Sequence, residues 1–132
     1  MIRAIAFLMV MVLAAGCATK DEKARTNIAR TWRISKVFQN GSDVTTSYLD
    51  THVDYKISFT NSGSFQEDYR PFSGGDLLTV TGTWDFSDSS SKITLVDNNR
   101  TRLFSVDALD EDNFNVTDLG SSTNREIQFI PN

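Results

Sequence analysis

One cysteine and one histidine are the side chains of this 132-residue sequence best suited to covalent or proton-transfer chemistry. The cysteine, Cys17, ends the run Leu-Ala-Ala-Gly-Cys at residues 13–17. Small residues before a cysteine, at the end of a short apolar stretch, form the signal that lipoprotein signal peptidase cleaves. The thiol is first alkylated with a diacylglyceryl group, and cleavage between Gly16 and Cys17 then frees an amine for a further acyl chain. The run therefore predicts that Cys17 is an acylated anchor and is not a nucleophile.

The residues before Cys17 have the features of a signal peptide. Arg3 supplies a positive charge, and residues 4–15 form an uninterrupted apolar run, a length typical of the hydrophobic region of a signal peptide. As a helix this run would extend about 18 Å, which is short of a hydrocarbon core about 30 Å thick. We therefore expect residues 1–16 to be a removable leader. The alternative is an ordinary secretory leader that leaves Cys17 as a free thiol.

Lys20, Asp21 and Glu22 follow shortly after Cys17. A lysine followed by two acids at this place resembles the lipoprotein export signal of Bacteroidota. The resemblance implies a lipid-anchored protein of the outer membrane, exposed at the cell surface if the signal is read and facing the periplasm otherwise. The alternative is a solvated, charged linker. We expect residues 17–29 to form a lipidated tether, with residues 21–29 suited to a short helix.

Catalytic signatures are missing from the sequence. His52, at the junction of a loop and a strand, is best interpreted as a solvated surface histidine. Nucleophile elbows, zinc-binding helices and glycine-rich phosphate loops do not occur. The acidic residues at 107 and 110–112 surround a hairpin turn, without the spacing and glycine of a calcium loop. The sequence therefore predicts a non-enzyme that has no cofactor and no metal site.

The charge balance excludes a further class of partner. The chain has 17 acidic and 13 basic residues, with a formal net charge of −4. Such a chain lacks the basic surface that binds nucleic acid, so the expected membrane contact is the lipid on Cys17 alone. A single cysteine also means that the folded part must be held by apolar burial, for which its many aromatic residues are suited.

The elements that must position any site are β-strands. In residues 53–59, apolar Val53, Tyr55, Ile57 and Phe59 alternate with polar residues, the period of a half-buried strand. The same alternation recurs seven more times, at residues 32–38, 65–69, 78–86, 93–95, 104–108, 114–116 and 127–129. Most connections are short and rich in Asn, Asp, Ser and Gly, which makes neighbouring strands antiparallel.

A sheet of eight half-buried strands joined in this way leaves unpaired backbone groups on its two edge strands. These groups are paired best when the sheet closes into a barrel. A two-sheet sandwich would need long crossovers, and only residues 39–52 offer one. We predict an all-β fold for residues 30–132, an eight-stranded antiparallel up-and-down barrel behind the lipoprotein signal peptide. Counting strands from the tether places the loops at residues 39–52, 70–76, 97–100 and 119–124 together at the far end, where a binding site should lie.

This arrangement resembles a known family. The first strand carries a tryptophan, the first loop is long, and evenly spaced hairpins follow, with Gly82-Thr83-Trp84 in mid-chain. Together with the lipidation signal that precedes them, these features resemble the lipocalin-like domains of Bacteroidota outer-membrane lipoproteins. The resemblance spans residues 29–132 and rests on pattern. It implies a small barrel that binds an apolar or amphiphilic small molecule, with no activity common to the family.

Three charged residues are predicted to face the barrel interior: Lys36, Glu67 and Arg102. One hypothesis is that Lys36 and Arg102 hold the acidic head group of a ligand whose tail contacts aromatic side chains. The other is that Glu67 pairs with one of these cations, or that all three lie at a wet mouth, because an unpaired buried charge is costly.

The aromatic candidates fall into two sets. Tyr55, Tyr69 and Trp84 lie on the predicted inner face, whereas Tyr48 and Phe72 are the apolar residues available in the far-end loops. Large Trp and Phe side chains favour a barrel filled by its own residues over a hollow one. Two functions therefore stay open: a barrel that binds a small ligand, and an interaction or accessory module whose loops bind an unspecified partner protein or glycan.

Overall fold

A computed structural model describes residues 19–132. The predicted leader, Gly16 and Cys17 lie outside the described residues. In chain order the described elements are α1 (Lys20–Ile28), β1 (Thr31–Gln39), β2 (Ser42–Asp43), α2 (Thr45–Asp50), β3 (Val53–Phe59), β4 (Ser64–Arg70), β5 (Leu78–Ser87), β6 (Lys92–Val96), β7 (Thr101–Leu109), β8 (Phe114–Asp118) and β9 (Arg125–Pro131). Among residues 19–132, no helix has the length and apolar character to cross a membrane.

The strands form one closed antiparallel sheet. From β3 to β9, each strand pairs with the next along the chain. β1 pairs with β3 on one side and with β9 on the other, which closes the barrel, while the short β2 pairs with the end of β1. The predicted eight-stranded up-and-down barrel is therefore confirmed. Because the closed sheet and its core lie within residues 19–132, we expect these residues to fold on their own.

α1 occupies the predicted tether and begins at a capping box. The Thr19 hydroxyl accepts a hydrogen bond from the Glu22 backbone N–H, and the Glu22 carboxylate accepts one from the backbone N–H of Thr19. Both bonds satisfy groups that the first helical turn leaves free. The last residue of the helix, Ile28, is fully buried, and its carbonyl accepts a 3.0 Å hydrogen bond from Trp32 Nε1. The helix is thus fixed to the first strand.

Two polar contacts hold the rest of α1 against the barrel. The Arg25 guanidinium pairs with Asp85 and lies 4.8 Å from the centre of the Trp84 ring. Asp21 accepts a hydrogen bond from the Ser90 hydroxyl, in the turn between β5 and β6. α1 therefore covers the end of the barrel nearest the N-terminus.

An aromatic core fills the half of the barrel next to α1. Phe59 packs edge-on against both Trp84 and Phe114, each with its ring centre at 5.8 Å, and Trp32 lies 5.6 Å from Phe114. All four side chains are buried. The predicted filled interior is correct for this half.

A β-bulge in β1 corrects one prediction. The pairing of β1 with β9 shifts by one residue between Ile34 and Lys36. Trp32, Ile34 and Val37 are buried, and Lys36 is exposed. The inward position predicted for Lys36 is therefore wrong, because an extra residue in a strand reverses which face the following side chains occupy.

Candidate functional site

The half of the barrel away from α1 is hollow. It contains a cavity of about 430 Å³, so the prediction of a filled barrel does not hold here. The deep part of the cavity is apolar, and its walls are Ile57, Phe59, Ile93, Leu95, Phe104, Phe114, Val116, Ile127 and Phe129. Polar and aromatic residues near the strand ends and loops form its mouth, among them Gln39, Ser47, Tyr48, Thr51, His52, Tyr69, Arg100, Asp118 and Arg125.

A buried ion pair lies between the deep part and the mouth. Arg102 Nη1 and Nη2 each donate a 3.1 Å hydrogen bond to one carboxylate oxygen of Glu67, whose side chain is 4% exposed. The Tyr55 hydroxyl donates to Glu67 as well. Burial, reinforced by the charge of Glu67, raises the pKa of Tyr55 well above its ordinary value. The second hypothesis for the inward charges, in which Glu67 pairs with one cation, describes this geometry.

The loop between β6 and β7 extends this network. Asp97 Oδ2 lies 3.7 Å from Arg100 Nε and 3.9 Å from Arg102 Nη2. A hydrogen bond from the Asn99 backbone N–H, together with one from Arg100 N–H, lowers the pKa of Asp97. Burial acts to lower the pKa of Arg102, but the hydrogen bond and charge of Glu67 raise it overall. Both guanidinium groups therefore have carboxylate neighbours.

Four aromatic rings form one wall of the mouth. Tyr48 and His52 stack in parallel with ring centres 4.1 Å apart, and His52 lies 5.0 Å from the Tyr69 ring. Tyr55 continues the wall, with its ring centre 6.3 Å from that of Tyr69. Burial raises the pKa of Tyr48. His52 is half-buried, so the prediction of a solvated surface histidine is only partly correct. The end of α2 turns its ring towards these three tyrosines.

The end of α2 explains how His52 is held. The Tyr48 carbonyl accepts hydrogen bonds from His52 Nδ1 at 2.9 Å and from the Thr51 hydroxyl at 3.1 Å. Such bonds satisfy carbonyl groups that the last turn of a helix leaves free. In the neutral ring, donation from Nδ1 leaves Nε2 as the acceptor. At the other end of α2, the Thr45 hydroxyl donates to Asp43, which fastens the helix to β2.

Arg125, the first residue of β9, also lines the mouth. Its guanidinium carbon is 5.4 Å from the centre of the Tyr48 ring. Within residues 19–132 no carboxylate oxygen lies within 4.0 Å of its nitrogens, and its buried Nε has no hydrogen-bond partner. Of the three arginines at the mouth, Arg125 is therefore the one that has no acidic group within 4.0 Å among residues 19–132.

The structure brings together five of the predicted ligand-binding residues and separates three. Those that line the cavity are Tyr48, Tyr55, Glu67, Tyr69 and Arg102. Trp84 lies beneath α1 in the filled half, Lys36 is on the outer surface, and Phe72 is 61% exposed in the loop after β4 and does not line the cavity.

Sequence reasoning missed His52, Arg100 and Arg125 as residues of the mouth. The signal that was available is their position, since each lies at or beside a strand end that the strand count assigns to the far end. Within the described residues, no cluster of His, Cys, Asp and Glu side chains is suited to a metal ion. Asp110, in the acidic turn, instead accepts 2.8 Å hydrogen bonds from the backbone of Asp112 and Asn113.

Comparison with solved structures identifies the fold. A lipocalin-like protein from Bacteroides uniformis superimposes with a TM-score of 0.61 at 15% sequence identity, over 80% of this chain and 99% of the other. A DUF4847 family protein from Bacteroides vulgatus does so with a TM-score of 0.55 at 14% identity, over 80% and 94%. No protein-family model and no curated protein matches the sequence. The predicted resemblance to lipocalin-like domains of Bacteroidota is confirmed at the level of the fold, and residues 19–132 form a lipocalin-like barrel.

Proposed function

We propose that this chain is a non-catalytic binding protein that holds a small amphiphilic molecule in the barrel. The observation that carries the proposal is the cavity of about 430 Å³, blocked at one end by α1 and the aromatic core and polar at the other. Its volume is within the range of small-molecule sites, about 300–1,000 Å³. An eight-stranded barrel has room for one such ligand.

The distribution of side chains favours an amphiphile over a uniformly apolar ligand. Isoleucine, leucine, valine and phenylalanine side chains line the deep part, whereas three arginines, a histidine and three tyrosines lie closer to the mouth. A ligand with an apolar tail and a polar head would match both regions. A ligand without a polar group would leave the polar groups at the mouth without new partners when it displaced water from them.

The non-catalytic part of the proposal is supported by how the reactive groups are used. The Thr51 hydroxyl lies 3.0 Å from His52 Nδ1, which is the distance of a nucleophile from its base. Both groups, however, bond to the Tyr48 carbonyl and cap α2. A nitrogen that donates to a carbonyl is not available to accept a proton from a hydroxyl.

The proposal is tested by filling the cavity. Leu95→Trp places an indole in the cavity from β6, and Thr94→Trp, on the neighbouring position that does not line the cavity, is the matched control. The probe is N-phenyl-1-naphthylamine, a neutral apolar fluorophore, titrated into residues 19–132. We expect the control to bind like the wild type and Leu95→Trp to lose binding while it keeps a cooperative thermal transition. Equal binding by all three proteins would contradict the proposal.

A second candidate function has its own supporting observation. The exposed large apolar side chains lie at or near strand ends and connections of the mouth end: Phe72, Leu77, Leu78, Val96, Leu103 and Leu119. Such groups favour an accessory module that binds a protein partner through its loops. Failure of the cavity test would leave this module as the remaining candidate.

We also propose that the barrel is attached to the outer membrane through acylated Cys17. The support is the lipidation signal at residues 13–17 together with the start of α1 at Lys20, only three positions after Cys17. An anchor at this position would hold the α1 end of the barrel near the lipid. The cavity would then open away from the membrane.

A further inference from the structure

We propose that the ligand carries an anionic head group, a carboxylate or a phosphate monoester, and that Arg125 binds it. This inference rests on the proposed function, that the cavity holds an amphiphile. It goes further because it assigns the charge of the ligand and the residue that recognises it.

The three arginines at the mouth differ in how their charges are balanced. Arg102 has its charge matched by the bidentate contact with Glu67. Arg100 lies 3.7 Å from Asp97 and 3.9 Å from Glu67. Their positive charges are balanced within the protein, so a bound anion would have to compete with these carboxylates.

Arg125 differs from both. It lines the cavity, yet among the described residues no carboxylate oxygen comes within 4.0 Å of it. Its buried Nε atom, like that of Arg102, has no hydrogen-bond partner. A partly buried cation without a partner is unfavourable. An anion at the mouth would supply the missing charge and the missing acceptor together.

The surroundings of Arg125 fix the guanidinium in place for this role. The group lies over the Tyr48 ring, and the ring is held by its stacking against His52. A guanidinium presents a planar pair of donors that suits carboxylate and phosphate oxygens. Because the group is already positioned, binding would cost less side-chain entropy than it would for a free arginine.

Two further residues at the mouth bear on the sign of the ligand charge. Asp118 also lines the cavity, and its Oδ1 accepts a 2.8 Å hydrogen bond from the Gly120 backbone N–H. This bond leaves the carboxylate charged, and no cation among the described residues lies within 4.0 Å of it. Gln39, which is paired with Arg125 across β1 and β9 and also lines the cavity, is neutral. Its side-chain amide can donate to an anion as well. The cavity lining contains three arginines and two carboxylates, Glu67 and Asp118, so its charge is positive by one.

The test uses three ligands with the same tail: dodecanoate, dodecyl phosphate and 1-dodecanol. The two anions are used below their critical micelle concentrations and the alcohol below its solubility limit. Their affinities are measured by displacement of N-phenyl-1-naphthylamine from residues 19–132. The variants are Arg125→Gln and, as the matched control, Arg33→Gln, which removes an exposed arginine from β1 outside the cavity. Comparison of the affinities for dodecanoate and dodecyl phosphate identifies which anion is preferred.

We expect at least one anion to bind the wild type more tightly than the alcohol does. Arg125→Gln should weaken anion binding about ten- to hundred-fold, since a charge-assisted hydrogen bond is lost, while the alcohol binds as before. Arg33→Gln should change neither. A purely structural role for Arg125 would instead weaken all three ligands together, and that result would overturn the inference.

Equal binding of anions and alcohol by the wild type would also overturn the inference while leaving the cavity as a ligand site. Failure of the neutral fluorophore to bind the wild type would instead contradict the proposed function itself. The two proposals can therefore fail separately.

Discussion

Arg102 and Glu67 meet face to face inside the barrel, with both Nη atoms of the guanidinium 3.1 Å from the two carboxylate oxygens. They come from β7 and β4, strands that are not neighbours in the sheet. The pair therefore crosses the barrel interior and links opposite walls, and it sets the lower boundary of the polar mouth.

Removing one partner of this pair should be strongly destabilising. Glu67→Ala removes the carboxylate that is hydrogen-bonded to Arg102 and leaves this mostly buried cation with only Asp97, 3.9 Å away. We expect the free energy of unfolding to fall by about 3–5 kcal/mol. The double variant Glu67→Leu with Arg102→Met should recover most of this loss, because it removes both charges. Urea denaturation measures the difference. Asp54→Asn, which breaks the exposed Arg70–Asp54 contact, is the control and should have little effect.

Tyr55 should make the barrel sensitive to alkaline pH. In the unfolded chain its phenol loses a proton near pH 10, whereas burial and Glu67 raise the pKa in the folded state well above that value. Above pH 10 the folded state thus binds more protons than the unfolded state, and stability falls as the pH rises. Tyr55→Phe should be about 1 kcal/mol less stable at pH 7, for the lost hydrogen bond, with a shallower decline between pH 9 and 11. Parallel stability profiles for the two proteins would contradict this prediction.

The strand pattern and the short connections predicted the barrel and the inward positions of Tyr55, Glu67, Tyr69 and Arg102, because period-2 alternation is a local property. The position of Lys36 was mispredicted because a bulge depends on how β1 must bend to pair with both β3 and β9. α2 was missed because six residues without charge pairs carry little helical signal of their own. The cavity could not be predicted, since it depends on how far the aromatic side chains extend along the barrel.

Gly82 should tolerate no side chain. A Cβ atom there would lie 2.0 Å from the Val96 carbonyl oxygen and 2.8 Å from the Phe65 ring. Gly82→Ala should therefore cost at least the 1–3 kcal/mol or so that is typical of overpacking, and a large fall in thermal midpoint is expected. Gly120→Ala, where the nearest atom is 3.5 Å away, should remain close to the wild type. Similar midpoints for the two variants would contradict the close approach of β5 and β6.

Membrane attachment should depend on Cys17. Two or more acyl chains give stable anchoring, at about 0.8 kcal/mol for each buried CH₂ group, and Cys17→Ser removes the site of acylation. We expect the serine variant of the full chain to leave the membrane fraction of the cells that produce it. Recovery of the variant in that fraction at the wild-type level would contradict the lipoprotein proposal.

Surface export should depend on Lys20, Asp21 and Glu22 independently of the fold. Their joint replacement by alanine is expected to leave the protein acylated but protected from protease added to intact cells. Because Asp21 bonds to Ser90 and Glu22 belongs to the capping box, the control must break these contacts without changing the motif. Thr19→Ala with Ser90→Ala does so, and it should remain accessible to protease. Equal digestion of all three proteins would contradict the export hypothesis.

The pairing of β1 with β9 has a consequence for how the chain reaches its native state. These are the first and the eighth strands of the barrel, and they pair from Trp32↔Pro131 to Gln39↔Arg125. Contacts of such large sequence separation form slowly, because a long stretch of chain must be ordered first. Until that seam forms, β1 and β9 both expose unpaired backbone, which is open to pairing with other molecules. A truncated chain that ends before β9 would therefore be unable to close the barrel and would be prone to aggregation or proteolysis.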